Sequence, residues 1–328
     1  MIRNPNDIHD GEKKIRMLIA GYPGIGKSTL ALSAPNPLHI DVDFGIDRIE
    51  PRYRKAYIQP SSYDEILEDL TPENVKDFDT LVFDTGGKLI SLMSLWAIKK
   101  DLKYGQRDGS LSLKGYGFVG KEFVRLMDYC FYELQKNIVI VFHATEEKDG
   151  DNTRLRIKVE GQTKNNVWEP MDLGGFVEMY GKDRTIGFSN CERYFAKGTR
   201  GITGVHKIPA LTPTSPNDFL TKLFAEYNAI STREAEQNAA DQEAYEAAMA
   251  EGRAIIDAIT DADTANAAMP RIKAIKHALT SEKEVGVAFN AKIKACGLFY
   301  DKVIKKYTPK PDEASMGREA RQEQGGGE

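Results

Sequence analysis

The sequence is poor in cysteine and has no long apolar run. Its 328 residues include only three cysteines, and no two of them form the Cys-x-x-Cys pair that metal and redox sites use. A disulfide scaffold and a structural zinc site are therefore excluded. No apolar run reaches the roughly 18 residues of a membrane span, and the first residues contain no apolar signal segment, so we expect a soluble cytoplasmic protein without a membrane partner.

An excess of charge of one sign is also missing. The chain carries 45 Lys and Arg against 49 Asp and Glu, which gives a net charge of −4. A protein that holds nucleic acid by bulk positive charge is excluded, although a local basic stripe stays open. Hydrophobic residues make up 41% of the chain, which is enough for a buried core and excludes a wholly disordered or fibrous protein.

The pattern of hydrophobic and polar residues divides the chain into two parts. The first part alternates short β-rich runs with helical patterns, which predicts an α/β fold with a mostly parallel sheet. These runs cover residues 16–20, 38–43, 80–84, 137–143 and 184–189. Beyond Asn228 the patterns are helical. We therefore predict three regions: an α/β core over 1–228, an all-α helical appendage over 229–307 and a disordered tail over 308–328.

The segment Gly21–Ser28, GYPGIGKS, is the most specific motif. It fits Gly-x-x-x-x-Gly-Lys-Ser/Thr between a predicted strand and a predicted helix, which is the context of a phosphate-binding loop, or P-loop. Backbone N–H groups and the helix N-terminus bind phosphate, and the lysine reaches the β- and γ-phosphates. The motif predicts ATP bound by Gly21, Pro23, Gly24, Ile25, Gly26, Lys27, Ser28 and Thr29.

A magnesium ion normally accompanies the phosphates in such a site. The Ser28 hydroxyl is one predicted ligand, and the second is an acid at the end of an apolar strand. Asp84, at the end of the run Thr80-Leu-Val-Phe-Asp84, fills that place, with a water between carboxylate and metal.

Several P-loop classes lack their markers in this chain. No Asn-Lys-x-Asp motif for guanine occurs, and no Leu-Ser-Gly-Gly-Gln of transporter ATPases. Asp84 is followed by Thr85, so the arrangement of helicases and AAA+ proteins, with the water-activating glutamate directly after the metal-binding aspartate, is absent. A base for hydrolysis has to come from elsewhere.

The order of these pieces, over about residues 12–228, resembles the RecA-like recombinase ATPases. It is most similar to short phage-encoded members, P-loop ATPases of the AAA type associated with single-strand annealing. The resemblance implies a RecA-like core in which Asp43 polarises the attacking water and His143 senses the γ-phosphate. The family uses Glu where this chain has Asp43, so slow hydrolysis, or Asp41 as the base, stays open.

The resemblance also implies contacts with single-stranded DNA and with a neighbouring subunit. The first DNA loop would be 104–117, with Lys114 and Tyr116, and the second 145–167. Arg154, Arg156 and Lys158 would share one face of a hairpin there, although a merely solvated hairpin is the alternative. Bases would stack on Tyr104, Tyr116 or Trp168, and the neighbour's γ-phosphate would be touched by Lys197 and Arg200.

The sequence thus predicts a homo-oligomer, a ring or a filament, that binds ATP and single-stranded DNA and hydrolyses ATP slowly. Its role would be phage recombination or repair, by annealing, strand exchange or help to an annealing or single-strand-binding partner protein. One alternative is a P-loop kinase of a nucleotide or small metabolite, with Arg154 and Arg156 as its lid. Another is a nucleotide-dependent switch or partner-binding module without hydrolysis.

Overall fold

The structure, a computed structural model, describes residues 13–149, 152–159 and 163–310. The strands in these ranges are β1 Arg16–Gly21, β2 Pro37–Asp41, β3 Tyr57–Ile58, β4 Thr80–Asp84, β5 Asn137–Asp149, β6 Asn152–Ile157, β7 Leu173–Tyr180, β8 Asp183–Gly187, β9 Val205–Lys207, β10 Leu298–Asp301 and β11 Lys306–Pro309. The α-helices are α1 Lys27–Ala31, α2 Tyr63–Asp69, α3 Pro72–Val75, α4 Gly86–Lys100, α5 Leu113–Asp128, α6 Thr163–Trp168, α7 Phe219–Asp257, α8 Ala262–Ala274 and α9 Ser281–Ala295.

Nine of the described strands form one sheet. Its order is β3-β2-β4-β5-β1-β7-β8-β9, and β6 pairs with the far end of β5. Along this order, each pair of neighbouring strands from β3 as far as β7 is parallel. The pairs β7–β8, β8–β9 and β5–β6 are antiparallel. The predicted α/β fold with a mostly parallel sheet is confirmed.

Both faces of this sheet are covered, which is why its strands are apolar throughout rather than alternating. Leu18 and Ala20 of β1 face a core that includes residues of α4 and α5. Met17 and Ile19, one position out of phase, face a second core that includes residues of α1 and the first turns of α7.

The parallel register brings several polar residues to one edge of the sheet. Gly21, at the end of β1, pairs with His143 of β5, and Asp84, at the end of β4, pairs with Val141. Asp41, at the end of β2, pairs with Asp84. The carboxyl edge of an α/β sheet is where such folds bind ligands, so the register alone places these groups around one site.

The chain divides into two compact units, one that ends at Ser231 and one that begins at Thr232. The helix α7 passes continuously through position 228, where we expected a domain boundary. A helix can continue past the last core residue wherever no Gly or Pro interrupts it.

The second unit packs α8 and α9 with the end of α7 around buried apolar residues such as Ile255, Ala265 and Phe289. It is not all-α, because β10 and β11 form an antiparallel hairpin within it. Tyr307 of β11 lies with its ring centroid 5.7 Å from that of Phe289, so the hairpin closes over the helical core.

The first residues of the predicted disordered tail belong to a strand instead. Thr308 and Pro309 belong to β11, and the prediction for residues 311–328 lies outside the described residues. Among the helices that the structure describes, none is long and apolar enough to cross a membrane.

Candidate nucleotide site

The P-loop lies between β1 and α1, as the motif predicts. Gly24 and Gly26 adopt φ angles of +79° and +84°, in the left-handed region that costs other residues about 1–2 kcal/mol. The helix α1 begins at Lys27. Of the other residues assigned to the nucleotide, Pro23 is exposed, whereas Ile25, Ser28 and Thr29 are half-buried.

Lys27 is buried inside this loop, with only 5% of its surface exposed. Its Nζ donates a hydrogen bond of 2.7 Å to the carbonyl oxygen of Tyr22 and lies 3.4 Å from Nδ1 of His143. Burial lowers the pKa of Lys27 to about 8, and the charge of Asp84 offsets part of that fall. Both groups that the ammonium contacts, a carbonyl oxygen and an imidazole nitrogen, are neutral. A phosphate would be a much stronger hydrogen-bond partner for it.

His143 is the last residue of β5 that pairs with β1. The strand continues to Asp149, so His143 is not at the strand end that the sequence predicts. Burial, and then the charge of Lys27, lower the pKa of His143 below its usual range. The imidazole is neutral at pH 7 and accepts from Lys27, which makes the pair sensitive to any anion that competes for the lysine.

Asp84 is buried at the end of β4, and Ser28 lies on the first turn of α1. In the ranges that the structure describes, no three His, Cys, Asp or Glu side chains form a metal-binding group. A carboxylate and a hydroxyl are hard oxygen ligands, and so few protein ligands suit Mg²⁺, which keeps several waters and takes phosphate oxygens. The residues present therefore fit magnesium.

His39 was not singled out from the sequence, because a lone histidine inside an apolar strand follows no motif. It is 1% exposed, and its Nε2 lies 3.5 Å from Oδ2 of Asp84. Neither ring nitrogen of His39 has a hydrogen-bond partner within the described ranges. The histidine packs directly against the carboxylate assigned to the metal.

The two aspartates considered as bases differ in their surroundings. Asp41 ends β2, and its carboxylate accepts hydrogen bonds from the backbone N–H groups of Gly45 and Ile46 and from the side chain of Gln59. This carboxylate holds the turn that follows the strand.

Asp43 lies two residues beyond the strand end, not at it as expected, and its Oδ2 is 2.9 Å from Nη2 of Arg48. It also lines a cavity of 780 Å³ that reaches His143, Thr85 and Lys88; we call this the nucleotide-side cavity. Asp43, not Asp41, therefore lines the open space that also reaches His143, the neighbour of Lys27.

Arg184 of β8 is a second residue of this site that sequence reasoning missed. Its Nη1 lies 3.4 Å from the carbonyl oxygen of Ile25, which is 159 positions away in the chain. A Cβ atom added to Gly26 would lie only 2.2 Å from that Nη1. The alternation of β8 explains the placement, because Arg184 projects to the same face as Ile186, which packs in the core beside α1.

Part of the predicted DNA-binding set lies around a second cavity, of 640 Å³, which we call the aromatic cavity. Arg154 and Arg156 of β6 line it, together with Trp168, Tyr194, Phe195 and Lys197. Phe195 is 45% exposed, and its ring meets that of Trp168 edge to face with centroids 5.0 Å apart. The cavity thus combines basic side chains with aromatic surface.

The rest of that set lies elsewhere. Lys158 and Tyr116 line the nucleotide-side cavity, so Lys158 does not share the cavity of Arg154 and Arg156. Lys114 and Tyr116 belong to the first turn of α5 rather than to a loop, because Ser112 caps that helix through the N–H of Gly115. Tyr104 stacks on Phe118 at 4.4 Å, which occupies one of its faces.

The two residues expected to act on a neighbouring subunit are both held within their own chain. Lys197 lines the aromatic cavity, and its Nζ is 3.4 Å from the carbonyl oxygen of Glu169. Arg200 donates to the hydroxyl of Ser231, and its guanidinium lies 5.8 Å from the ring centroid of Tyr227. A role across a subunit boundary stays a prediction for both.

A protein-family model described as an AAA domain matches residues 13–200. The chain belongs to this AAA-domain family. The matched range contains the P-loop, Asp84, His143 and the β5–β6 hairpin, so the family match and the geometry concern the same residues. This AAA domain is a P-loop domain of the nucleotide-binding type.

Among solved structures, a crystal structure of the RadB recombinase is similar to part of this chain. The similarity covers 53% of this chain and 79% of that chain, with 12% sequence identity and a TM-score of 0.31. No curated protein matches the chain.

Proposed function

We propose that this AAA domain binds ATP with Mg²⁺, hydrolyses it slowly and acts on single-stranded DNA as a RecA-like protein of recombination or repair. The observation that carries the proposal is the buried ammonium of Lys27, which is bonded to a carbonyl oxygen and to a neutral imidazole inside a preformed P-loop. A charged group held in this way is completed by an anionic ligand.

In this proposal the chain's residues divide the work at the phosphates. Lys27 binds the β- and γ-phosphates, while Ser28 and Asp84 hold the metal, whose charge would neutralise the phosphate oxygens. His143 lies within reach of Lys27, so a γ-phosphate that draws the lysine away also changes the hydrogen bonding of His143. Since β5 runs on from His143 to Asp149, the strand connects the phosphates to the hairpin.

Asp43 is the proposed base that orients the attacking water. Its ion pair with Arg48 competes for the carboxylate, which supports slow rather than fast turnover. The same ion pair favours a second candidate function, a nucleotide-dependent switch that binds ATP without hydrolysing it.

Support for single-stranded DNA comes from the aromatic cavity. Arginines attract the phosphate backbone, and stacking of one base on an aromatic ring contributes about 1–3 kcal/mol irrespective of sequence. The net charge of −4 argues against a tight grip by one copy. We therefore propose weak contacts multiplied along a homo-oligomer, a ring or a filament, with an annealing or single-strand-binding protein as partner.

Turnover assays with and without single-stranded DNA test the proposal. We expect slow ATP hydrolysis that DNA accelerates, its loss in Asp43→Asn, and faster basal turnover in Arg48→Ala because the carboxylate is released. If all three proteins bind ATP tightly and none of them hydrolyses it, the switch is favoured. Failure to bind nucleotide at all would overturn the proposal.

The kinase alternative is not favoured by the placement of its lid residues. Arg154 and Arg156 line the aromatic cavity, whereas His143 and Asp43 line the nucleotide-side cavity. Transfer of phosphate from ATP to an added nucleotide or metabolite, at a rate independent of DNA, would nevertheless restore it.

A further inference from the structure

We infer that Arg184 is a phosphate ligand of the nucleotide site. It belongs to β8 of the same chain and lies outside the P-loop motif. The inference rests on the proposed nucleotide binding and adds to it a cation that no motif assigns. It would bind the phosphates of a nucleoside di- or triphosphate in addition to Lys27 and the loop's own N–H groups.

The first support is the position of the guanidinium. Glycine is used in phosphate-binding loops because the absence of a side chain lets phosphate approach the backbone closely. The space next to Gly26, where a Cβ would point, holds Nη1 of Arg184 at a distance of 2.2 Å. Arg184 thus reaches the loop backbone at one of its two left-handed glycines, the residue directly before Lys27.

The second support is the charge balance around Arg184. The residue is half-buried, and burial alone lowers the pKa of its guanidinium. In the part of the chain that the structure describes, no carboxylate forms an ion pair with it. Its neighbour Asp183 pairs instead with Lys207, at 2.8 Å.

The third support is the weakness of the contact that Arg184 does make. Its 3.4 Å hydrogen bond to the carbonyl oxygen of Ile25 is longer than the usual 2.7–3.2 Å. A guanidinium presents five donors in a planar fork that matches a phosphate. A bound phosphate would therefore give Arg184 shorter, charge-assisted bonds than the loop carbonyl does.

A purely structural role would make a different prediction. If Arg184 only braced the P-loop, its removal would destabilise the protein without nucleotide. If it is a phosphate ligand, the charge is a cost in the free protein and a gain only when phosphate is bound.

The test compares Arg184→Gln, which removes the charge but keeps a polar amide, with Lys182→Gln, an exposed control in the turn between β7 and β8. Affinities for ATP, ADP and adenosine are measured by calorimetry, and the unfolding midpoint is measured without nucleotide. We expect Arg184→Gln to weaken ATP and ADP binding roughly 10- to 100-fold, to leave adenosine unaffected, and to unfold at the same or a higher temperature. The control should match the parent throughout.

Equal ATP affinity in the parent and in Arg184→Gln would overturn the inference, and so would a variant that unfolds earlier while its remaining folded fraction binds normally. If the parent protein binds neither ATP nor ADP, the proposed function fails as well, which is a separate and recognisable result. Arg184→Lys then refines a positive outcome: partial recovery of ADP affinity shows that charge suffices, and no recovery shows that the planar fork is needed.

Discussion

The nucleotide site and the aromatic cavity are built in opposite ways. The P-loop is a continuous segment in which backbone N–H groups, glycine conformation and one lysine form the binding surface. The aromatic cavity takes its side chains from β6, from the end of α6 and from the segment that follows β8. A binding surface made of backbone survives most side-chain changes, whereas one made of side chains from separate segments depends on each of them.

Lys27→Ala should separate the two sites most clearly. In the proposed site the ammonium would bind the β- and γ-phosphates directly, and loss of such a charge-assisted bond costs about 3 kcal/mol, or more than 100-fold in the Kd for ATP. Calorimetry with ATP and fluorescence anisotropy with a single-stranded oligonucleotide measure the two sites in parallel.

Without nucleotide, DNA affinity of Lys27→Ala should stay within twofold of the parent. Thermal unfolding of Lys27→Met is the control for folding, and its midpoint should not fall, because the variant removes a buried charge. Parallel loss of ATP and DNA affinity would mean that the two sites are not separable.

Gly26→Ala should have the next largest effect on ATP affinity, and its cause is a steric clash rather than the removal of a charge. Its Cβ would lie 2.2 Å from Arg184 Nη1 and would displace the guanidinium that we propose as a phosphate ligand, so ATP affinity should fall by about 1–3 kcal/mol. Gly24→Ala is the matched control, because Gly24 has a similar φ angle but no atom within 4 Å of an added Cβ.

Both glycine variants carry the left-handed strain, so their unfolding free energies should fall alike, by about 1–2 kcal/mol. Only Gly26→Ala should lose most of its ATP affinity in calorimetry. Equal losses of affinity in the two variants would mean that displacing Arg184 does not weaken ATP binding.

Phe195→Ala should weaken single-stranded DNA binding by about 1–3 kcal/mol, because an exposed ring that can stack a base is removed. Tyr180→Ala is the control, since Tyr180 is 81% exposed on β7 but does not line the aromatic cavity. Anisotropy at fixed salt measures the effect, and ATP affinity should be unchanged in both variants. If Tyr180→Ala weakens DNA as much as Phe195→Ala, the cavity is not the site.

A change of pH should have the smallest effect and should act on the nucleotide site alone. The pKa of Lys27 is lowered to about 8, so raising the pH from 7 to 9 removes most of its charge in the free protein. ATP affinity should then fall roughly tenfold, with proton uptake on binding that calorimetry in two buffers detects. An affinity that is flat between these pH values would show that Lys27 keeps its charge.

The same lowered pKa has the opposite effect on stability: a rise in pH weakens ATP binding but stabilises the folded protein. Between about pH 8 and pH 10.5, Lys27 keeps its proton in the unfolded chain but has lost it in the folded protein. The parent should therefore gain stability with rising pH in that window relative to Lys27→Met. Denaturant unfolding of both proteins at pH 7.5 and 10 measures the difference.

Prediction from sequence succeeded where chemistry is carried by neighbours in the chain. The P-loop, its flanking strand and helix, and the parallel sheet all follow from local pattern. It failed at Asp43 and His143, which were expected at strand ends. The strand β2 stops at Asp41 because that carboxylate turns the chain, and β5 continues past His143 because β6 pairs with it.

The sequence by itself determined which loop would bind phosphate, because its glycines and its lysine act through conformation and charge that need no distant partner. Only the tertiary structure decided that Arg184 would lie over Gly26, that His39 would pack against Asp84, and that Phe195 and Lys197 would join Arg154 and Arg156. The physical reason is strand register. A one-residue shift turns every side chain to the opposite face of a strand, and long-range pairing, which local pattern does not encode, sets that register.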